Sequence, residues 1–199
     1  MEFPAITICN YNSFRRSALT ANDLVHMAYL VKAYGLDDGI LKKLLTKKEK
    51  EKLIEYWKKY DQTHTKKFNY QLFVERVGYH ASDMIKSCHF GVEECGPKNF
   101  SNVLTTYGNC ITFNLGGVGK PLHQKFPGSN HGLKLLINIQ EYEYTGTYRT
   151  DRLDIGIKFV VHEKNYPPDV LQQGKAVGPG SHAYASVKYR TVRYLILAS

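Results

Sequence analysis

The sequence predicts an α+β fold with a mainly antiparallel sheet, in which a run of helices interrupts the strands. Helical periodicity is concentrated between residues 20 and 87, and a period of two replaces it after Cys88. The opening segment 3–11 is itself strand-like, and the strand–helix alternation typical of a parallel sheet does not occur. The helices are therefore expected to form one excursion between the first strand and a later sheet.

Four helices are expected in the excursion, because residues that cap helix N-termini recur along it. The capping pairs are Thr20 with Asp23 and Thr46 with Glu49. A third helix follows Asn69 and ends at Gly78, and a short fourth helix runs from about His80 to Lys86.

The second half of the chain predicts strands separated by turns. The candidate strands are 101–106, 109–114, 132–141, 154–162 and 184–196. Segment 154–162 has the strongest pattern, since it is rich in β-branched residues. Segments 116–129 and 164–180 are rich in glycine and proline and are expected to be loops.

The chain is basic, with a formal net charge of +9. Such a charge suits nucleic acid or an anionic membrane surface. Much of it comes from the lysine-rich segment 42–59, which fits the solvated face of a helix. No helix-turn-helix pattern or RNA-type aromatic motif accompanies this segment, so nucleic acid is not an expected partner.

The sequence gives little support to an enzyme. It contains no nucleophile elbow, phosphate-binding loop or metalloprotease helix. Residues 116–120 superficially resemble a phosphate loop, but the spacing is wrong and a turn is expected there. Cys88, His89 and Cys95 lack a second ligand pair at zinc-finger spacing, and the remaining histidines are scattered. We therefore expect no cofactor and no metal site.

The four cysteines indicate an oxidising compartment. Cys9 and Cys110 each lie in an alternating strand, and Cys88 and Cys95 bracket a short loop. The arrangement suggests that the first strand is linked to a strand about 100 residues later. Four cysteines allow three connectivities, and four buried thiols in a cytosolic protein are an alternative.

The ends of the sequence predict a piece of a longer protein. No apolar run approaches the length of a membrane span, and residues 1–4 do not begin a signal peptide. Oxidised cysteines would then require delivery by sequence outside this chain. The chain also stops shortly after the strand-like run 194–197.

Several motifs resemble one family of membrane proteins. The segment from Phe3 to Asn10 resembles the strand outside the first membrane helix of the epithelial sodium channel, degenerin and acid-sensing channel family. Further similar segments follow in the same order along nearly the whole chain: 22–24 with Tyr29 and Leu30, 83–90, 107–114, 130–133, 156–158 with His162, 167–168 and 178–180. The match over 107–114 is the most specific, and the acid-sensing branch is the most similar.

The resemblance implies a fold and a function. Family members are trimeric, sodium-selective channels of the plasma membrane, with a hand-shaped extracellular domain. Palm strands are expected at about 3–14, 107–114, 154–162 and 186–196, finger helices at about 20–87, and β-ball strands between. The resemblance also implies the disulfides Cys9–Cys110 and Cys88–Cys95. Sodium ions, other subunits of a homo- or heterotrimer, and extracellular protons or a peptide ligand are the implied partners.

The matches lack the membrane helices, the selectivity filter and the thumb of the family. We therefore expect one incomplete extracellular domain over residues 1–199, which alone conducts no ions. The alternative is a secreted, disulfide-bonded binding module without channel activity.

The acid-sensing branch places gating carboxylates in a pocket between finger and thumb. By resemblance, the candidates here are Glu141, Glu143, Asp151 and Asp154. Lys134 stands where the family pattern has an acid, and Arg149 and Arg152 lie close by in sequence. Because positive neighbours lower the pKa of a carboxyl group, this pattern argues against strong proton sensing, and peptide, mechanical or constitutive opening are the alternatives. Separately, Asn99-Phe100-Ser101 is a candidate glycosylation sequon.

Overall fold

Two antiparallel sheets and short helices make up the computed structural model, which confirms the α+β fold class. The structure describes residues 2–20, 23, 51, 55, 69–116, 122–124, 126, 128, 131–144 and 155–188. Within these ranges, no helix combines the length and the hydropathy that crossing a membrane requires.

Eight strands and three α-helices lie wholly within the described residues. The strands are β1 (Ala5–Asn10), β2 (Ile85–Phe90), β3 (Glu93–Cys95), β4 (Phe100–Thr105), β5 (Gly108–Phe113), β6 (Leu133–Ile137), β7 (Ile157–His162) and β8 (Lys175–Val177). The helices are α1 (Tyr70–Val77), α2 (Ala81–Met84) and α3 (Val170–Gln173). Three 3₁₀-helices lie at Arg16–Ala18, Pro97–Asn99 and Glu141–Glu143.

The first strand lies at the centre of the larger sheet, which has the order β4-β5-β1-β7-β8. Thr7 of β1 lies opposite Thr112 of β5 on one side and Val160 of β7 on the other. Five of the six residues of β1 are buried, as expected for a strand that is covered on both faces. The N-terminal segment is thus held by two strands that lie more than 90 residues away in sequence.

The main core lies between the larger sheet and a three-stranded sheet with the order β3-β2-β6. Ile8, Ile111 and Phe113 contribute from the larger sheet, and Met84 and Ile85 contribute from α2 and β2. A second cluster covers the opposite face of the larger sheet, where α3 packs beside the Cys9–Cys110 disulfide. Side chains on both faces of β1 are therefore covered.

Both disulfides implied by the family resemblance are present. Cys9 and Cys110 join neighbouring strands with a Cα–Cα distance of 4.5 Å, and both are buried. Cys88 and Cys95 lie directly opposite each other across the β2–β3 hairpin, 4.9 Å apart at Cα. The structure has no free cysteine, so the alternative of four reduced thiols is wrong for this fold.

Two predicted helix starts are confirmed by their caps. The Thr20 backbone N–H donates to the Asp23 carboxylate at 2.8 Å, and the Asp23 N–H returns a bond to the Thr20 hydroxyl at 3.3 Å. The Asn69 side chain accepts from the Leu72 N–H, and the helix that follows ends before Gly78. Asp23 also forms an ion pair with Arg76 of α1, which ties the two helix ends together.

The prediction of a helix from His80 to Lys86 is wrong at its C-terminal end. Helix α2 stops at Met84, and β2 begins at Ile85. Ile85 and Cys88 point into the core, while β2 pairs with strands on both sides. The extended conformation of β2 is set by its pairing with β6, which lies about 50 residues later. The local sequence around residues 80–86 contains no information about this distant partner.

The predicted strand and loop bounds also need correction. The strand predicted over 132–141 covers only Leu133–Ile137, and Gln140 beyond it takes a left-handed conformation with φ 53°. The predicted loop 164–180 contains α3 and the edge strand β8. Residues 184–188, predicted as the start of a strand, are exposed and have no regular structure.

Several predictions fall outside the described residues. These are most of the finger-helix region between residues 24 and 68, residues 117–120 of the turn predicted at 116–120, the acids Asp151 and Asp154, and the strand residues 189–196. Glu51 and Glu55, which are described, have helical conformation.

Candidate functional site

The best-defined polar site surrounds residues 138–144, here called the carboxylate segment because it carries Glu141 and Glu143. It follows β6 and contains the 3₁₀-helix Glu141–Glu143. The Asn138 side chain accepts a hydrogen bond from the Gln140 N–H at 3.1 Å, a local bond that ends the strand. The segment therefore begins with a tight, side-chain-stabilised turn.

Helix α2 holds the start of the carboxylate segment. The Asn138 N–H donates to the Met84 carbonyl at 2.8 Å, and the Gln140 side-chain amide donates to the Asp83 carbonyl at 2.7 Å. Gln140 is buried, so its bond satisfies a polar group that water does not reach. These bonds fix the turn against helix α2.

The end of β1 holds the middle of the segment. The Asn10 side-chain amide donates to the Ile139 carbonyl at 2.8 Å. The Asn12 side-chain amide donates to the Glu143 carbonyl at 3.0 Å and to the Tyr79 hydroxyl at 2.9 Å. Both asparagines are buried, and burial raises the pKa of Tyr79 to about 12. The Tyr79 phenol therefore remains neutral and available for hydrogen bonding at physiological pH.

Tyr144 joins the segment to the start of β7. Its hydroxyl lies 2.8 Å from the Asn10 side-chain oxygen and accepts from the Gly156 N–H at 3.0 Å. Burial raises the pKa of Tyr144. One phenol thus connects the carboxylate segment, the end of β1 and Gly156, the residue before β7.

Glu143 is an anchored carboxylate. It accepts bonds from the backbone N–H and from the hydroxyl of Ser17, each at 2.8 Å. The hydrogen bond from the Ser17 backbone N–H is the main cause that lowers the pKa of Glu143. The bond from the Ser17 hydroxyl and the nearby Arg15 and Arg16 lower this pKa further, and partial burial opposes them. Glu143 is accordingly ionised at neutral pH.

The structure describes two of the four predicted gating carboxylates. Glu141 is exposed on the 3₁₀-helix, and Glu143 faces Ser17. Asp151 and Asp154 lie outside the described residues. A gating role for the four carboxylates stays a prediction.

An open cavity of about 330 Å³ lies beside the segment. It is lined by residues 137–142 together with Pro179 and Gly180. Among the described residues, no group of three or more histidines, cysteines or acids is placed to hold a metal ion.

Sequence reasoning missed the residues that position this site, namely Asn10, Asn12, Ser17, Tyr79 and Tyr144. Asparagines just after a strand are typical of turns, and that was the signal available in the sequence. Their partners lie up to 134 residues away, so the pattern around them does not reveal what they bind.

Asn99, the candidate glycosylation residue, is exposed at the end of the 3₁₀-helix Pro97–Asn99. Its side-chain oxygen accepts from the Gly96 N–H at 2.9 Å, so this bond does not use the nitrogen that a glycan occupies. Occupancy of the sequon stays a prediction.

Comparison with known proteins places the chain in a family. A sequence model of the amiloride-sensitive sodium channel family matches residues 1–196. Acid-sensing ion channel 1C of Danio rerio is 35% identical over 199 residues, and acid-sensing ion channel 1 of Gallus gallus is 35% identical over 206 residues. Acid-sensing ion channel 2 of Homo sapiens is 32% identical over 199 residues.

Each alignment covers 98% of this chain but only 38% to 39% of the relative. The chain therefore spans about two fifths of the length of these relatives. The order of motifs, the two disulfides and the match over nearly every residue agree, and the chain belongs to the amiloride-sensitive sodium channel family.

Proposed function

We propose that this chain is part of the extracellular domain of a subunit of a trimeric, sodium-selective cation channel in the plasma membrane. The observation that carries the proposal is the family match over residues 1–196. Two disulfides support the extracellular side, because such bonds persist in oxidising compartments. The pore and the membrane anchors belong, in this proposal, to the remainder of a longer protein.

In this proposal, the larger sheet belongs to the palm of the hand-shaped domain. Its strands β1, β5 and β7 fall within the ranges 3–14, 107–114 and 154–162 that the resemblance assigns to the palm. The excursion over 20–87 is the finger, and the strands between belong to the β-ball.

The carboxylate segment connects these parts. Its turn bonds to α2 at the end of the finger, and its middle bonds to the end of β1 in the palm. A stimulus that displaces the segment therefore acts on both regions through hydrogen bonds that are already in place.

Glu143 serves as an anchor in this scheme, and its own protonation is not the stimulus. Because its pKa is lowered, it stays ionised through the mildly acidic range in which a proton sensor must titrate. A proton stimulus would act through carboxylates other than Glu143.

The test is expression of the complete reading frame that contains this chain in cultured cells, with recording of membrane current. We expect a sodium-selective current that an amiloride-type blocker inhibits. A current that is not selective for sodium and resists the blocker would overturn the proposal. A secreted product whose reading frame has no apolar run of ~20 residues on either side would instead identify a binding module.

The role of Glu143 is tested in the same recordings with Glu143→Gln and, as the matched control, Glu141→Gln. If acid activates the current and Glu143 is an anchor, its substitution changes current amplitude without moving the pH of half-activation. A displaced pH of half-activation in Glu143→Gln alone would make Glu143 the proton sensor.

A further inference from the structure

Tyr142 differs from the other tyrosines near the carboxylate segment in its exposure. It is 69% exposed at the centre of the 3₁₀-helix Glu141–Glu143, and it borders the open cavity. A tyrosine ring usually buries most of its apolar surface and keeps only its hydroxyl in water. Tyr142 instead presents most of its side chain to solvent.

Its sequence neighbours on both sides are acids. Glu141 precedes it and Glu143 follows it. No lysine or arginine occurs between Lys134 and Arg149, so the stretch is anionic along the sequence, and Arg15 and Arg16 lie near Glu143 in the fold. An enzyme that binds an anionic donor through basic side chains attracts such a stretch electrostatically.

Two other tyrosines each have only one of these two features, exposure or acidic neighbours. Tyr144 also follows an acid, but its hydroxyl bonds Asn10 and Gly156 and its ring is partly buried. Tyr184 is 86% exposed, but its neighbours are alanines. Of these three, Tyr142 alone combines an accessible phenol with acidic flanks.

We propose that Tyr142 is an acceptor of a sulfuryl group in the secretory lumen. The donor class is a nucleoside phosphosulfate. The phenolic oxygen attacks sulfur, the bond from sulfur to the bridging phosphate oxygen breaks, the phenolic proton is lost to base, and the nucleoside phosphate leaves. No oxidation or reduction takes place. The proposal rests on the proposed extracellular location, since the transfer occurs before export.

The modification adds a permanent negative charge to the carboxylate segment. A sulfate monoester stays ionised at all physiological pH values, whereas a carboxylate gains a proton in acid. Beside Glu141 and Glu143, the sulfated tyrosine forms an anionic strip whose charge persists when protons bind elsewhere. The cavity beside the ring leaves room for the added group.

The test follows radioactive sulfate into the chain secreted from cultured animal cells behind a cleavable leader. Glycans also carry sulfate, so every variant is made in an Asn99→Gln background. We expect label in this parent and in Tyr184→Phe, and at least a tenfold loss of label in Tyr142→Phe. Peptide mapping is expected to place one phosphatase-resistant sulfuryl group on residues 141–143.

Label that persists in Tyr142→Phe overturns the proposal. Secreted, disulfide-linked parent that carries no label also overturns it, provided a reference protein in the same cells is sulfated. Because secretion and disulfide formation are read separately, failure of sulfation leaves the channel proposal untouched. Conversely, the chain could be sulfated while its complete reading frame gives no sodium current. That result would refute the proposed channel function and support the proposed sulfation of Tyr142.

Discussion

At the scale of single residues, the carboxylate segment is placed by buried amides. Asn10 and Asn12 each supply a side-chain N–H to a carbonyl of the segment, and Tyr79 lies within reach of Asn12. Every fully buried side-chain nitrogen and oxygen among the described residues has a hydrogen-bond partner. A satisfied polar network of this kind fixes one arrangement, because every alternative leaves a buried group unpaired.

Glu143 is expected to stabilise the fold above acidic pH. Its pKa is lowered in the folded protein, so its stabilisation is complete above the ordinary value of 4.5 and is lost as the pH falls through the folded value. Glu143→Gln should lower the free energy of unfolding at pH 7 by less than about 1 kcal/mol, because the site is well solvated. Chemical denaturation of both proteins over a series of pH values would measure this difference in the free energy of unfolding.

Glu141→Gln is the matched control, since Glu141 lies on the same turn and is exposed. Glu141→Gln should leave the free energy of unfolding unchanged at neutral and at acidic pH. An equal loss in Glu143→Gln at neutral and acidic pH would show that the ionised bond to Ser17 contributes nothing.

Asn99 is expected to carry an N-linked glycan when the chain is secreted. Its side chain is exposed, and the sequon continues with Phe100 and Ser101. Asn99→Gln should abolish the mobility shift produced by an N-glycosidase, whereas Asn102→Gln, an exposed asparagine outside a sequon, should preserve it. Secreted wild-type chain that the glycosidase does not shift would refute the prediction.

At the scale of elements, a hydrogen-bonded row of two hydroxyls and one imidazole crosses three strands of the larger sheet. Thr7 of β1 lies 2.7 Å from the Thr112 hydroxyl of β5 and 2.8 Å from His162 Nε2 of β7. His162 Nδ1 lies 3.0 Å from the Glu163 carbonyl, which can only accept, so Nδ1 carries the proton and Nε2 accepts from Thr7. Burial lowers the pKa of His162, which favours this neutral ring.

Thr7→Val tests this connection. Valine keeps the shape of threonine but removes the hydroxyl, leaving Thr112 and His162 without their shared partner. We expect a loss of about 1–3 kcal/mol in the free energy of unfolding, measured by denaturant titration. Ser101→Ala on the exposed edge strand β4 is the control and should cost far less. Equal losses in the two variants would contradict the role of Thr7.

The sequence predicted elements whose determinants are local and missed those set by distant pairing. Asn69 caps α1 from three residues away, and the helix appeared where it was expected. In contrast, β2 follows α2 without a break because β6 pairs with it. Strand β8 was missed because three residues carry too little pattern, and its pairing with β7 determines its conformation.

The candidate site shows the same contrast between local sequence signals and contacts made by distant residues. Family resemblance pointed to Glu141 and Glu143, but only the fold identified Ser17 as the partner that keeps Glu143 ionised. The contact joins residues 126 positions apart, and no local spacing encodes it.

At the scale of the whole molecule, the two disulfides differ in the length of chain that they close. Cys9 and Cys110 are 101 residues apart, and Cys88 and Cys95 are 7 apart. In the loop-entropy account, a longer closed loop removes more freedom from the unfolded chain. The long bond should therefore contribute more to stability than the hairpin bond.

Paired substitutions measure the difference. Cys9→Ala with Cys110→Ala should lower the free energy of unfolding by about 4 kcal/mol, and Cys88→Ala with Cys95→Ala by about 2 kcal/mol. Replacing both partners avoids a stray thiol. Chemical denaturation under non-reducing conditions gives both values, and a larger loss from the hairpin pair would contradict the ranking.

The central position of β1 also sets an order of events during synthesis. The ribosome makes β1 before the other described strands, and its neighbours β5 and β7 emerge only after about 100 and 150 further residues. Cys9 must wait as an unpaired sulfur while Cys88 and Cys95 appear ahead of its own partner. Correct oxidation therefore favours closing the hairpin bond early, which removes the two competitors before Cys110 arrives.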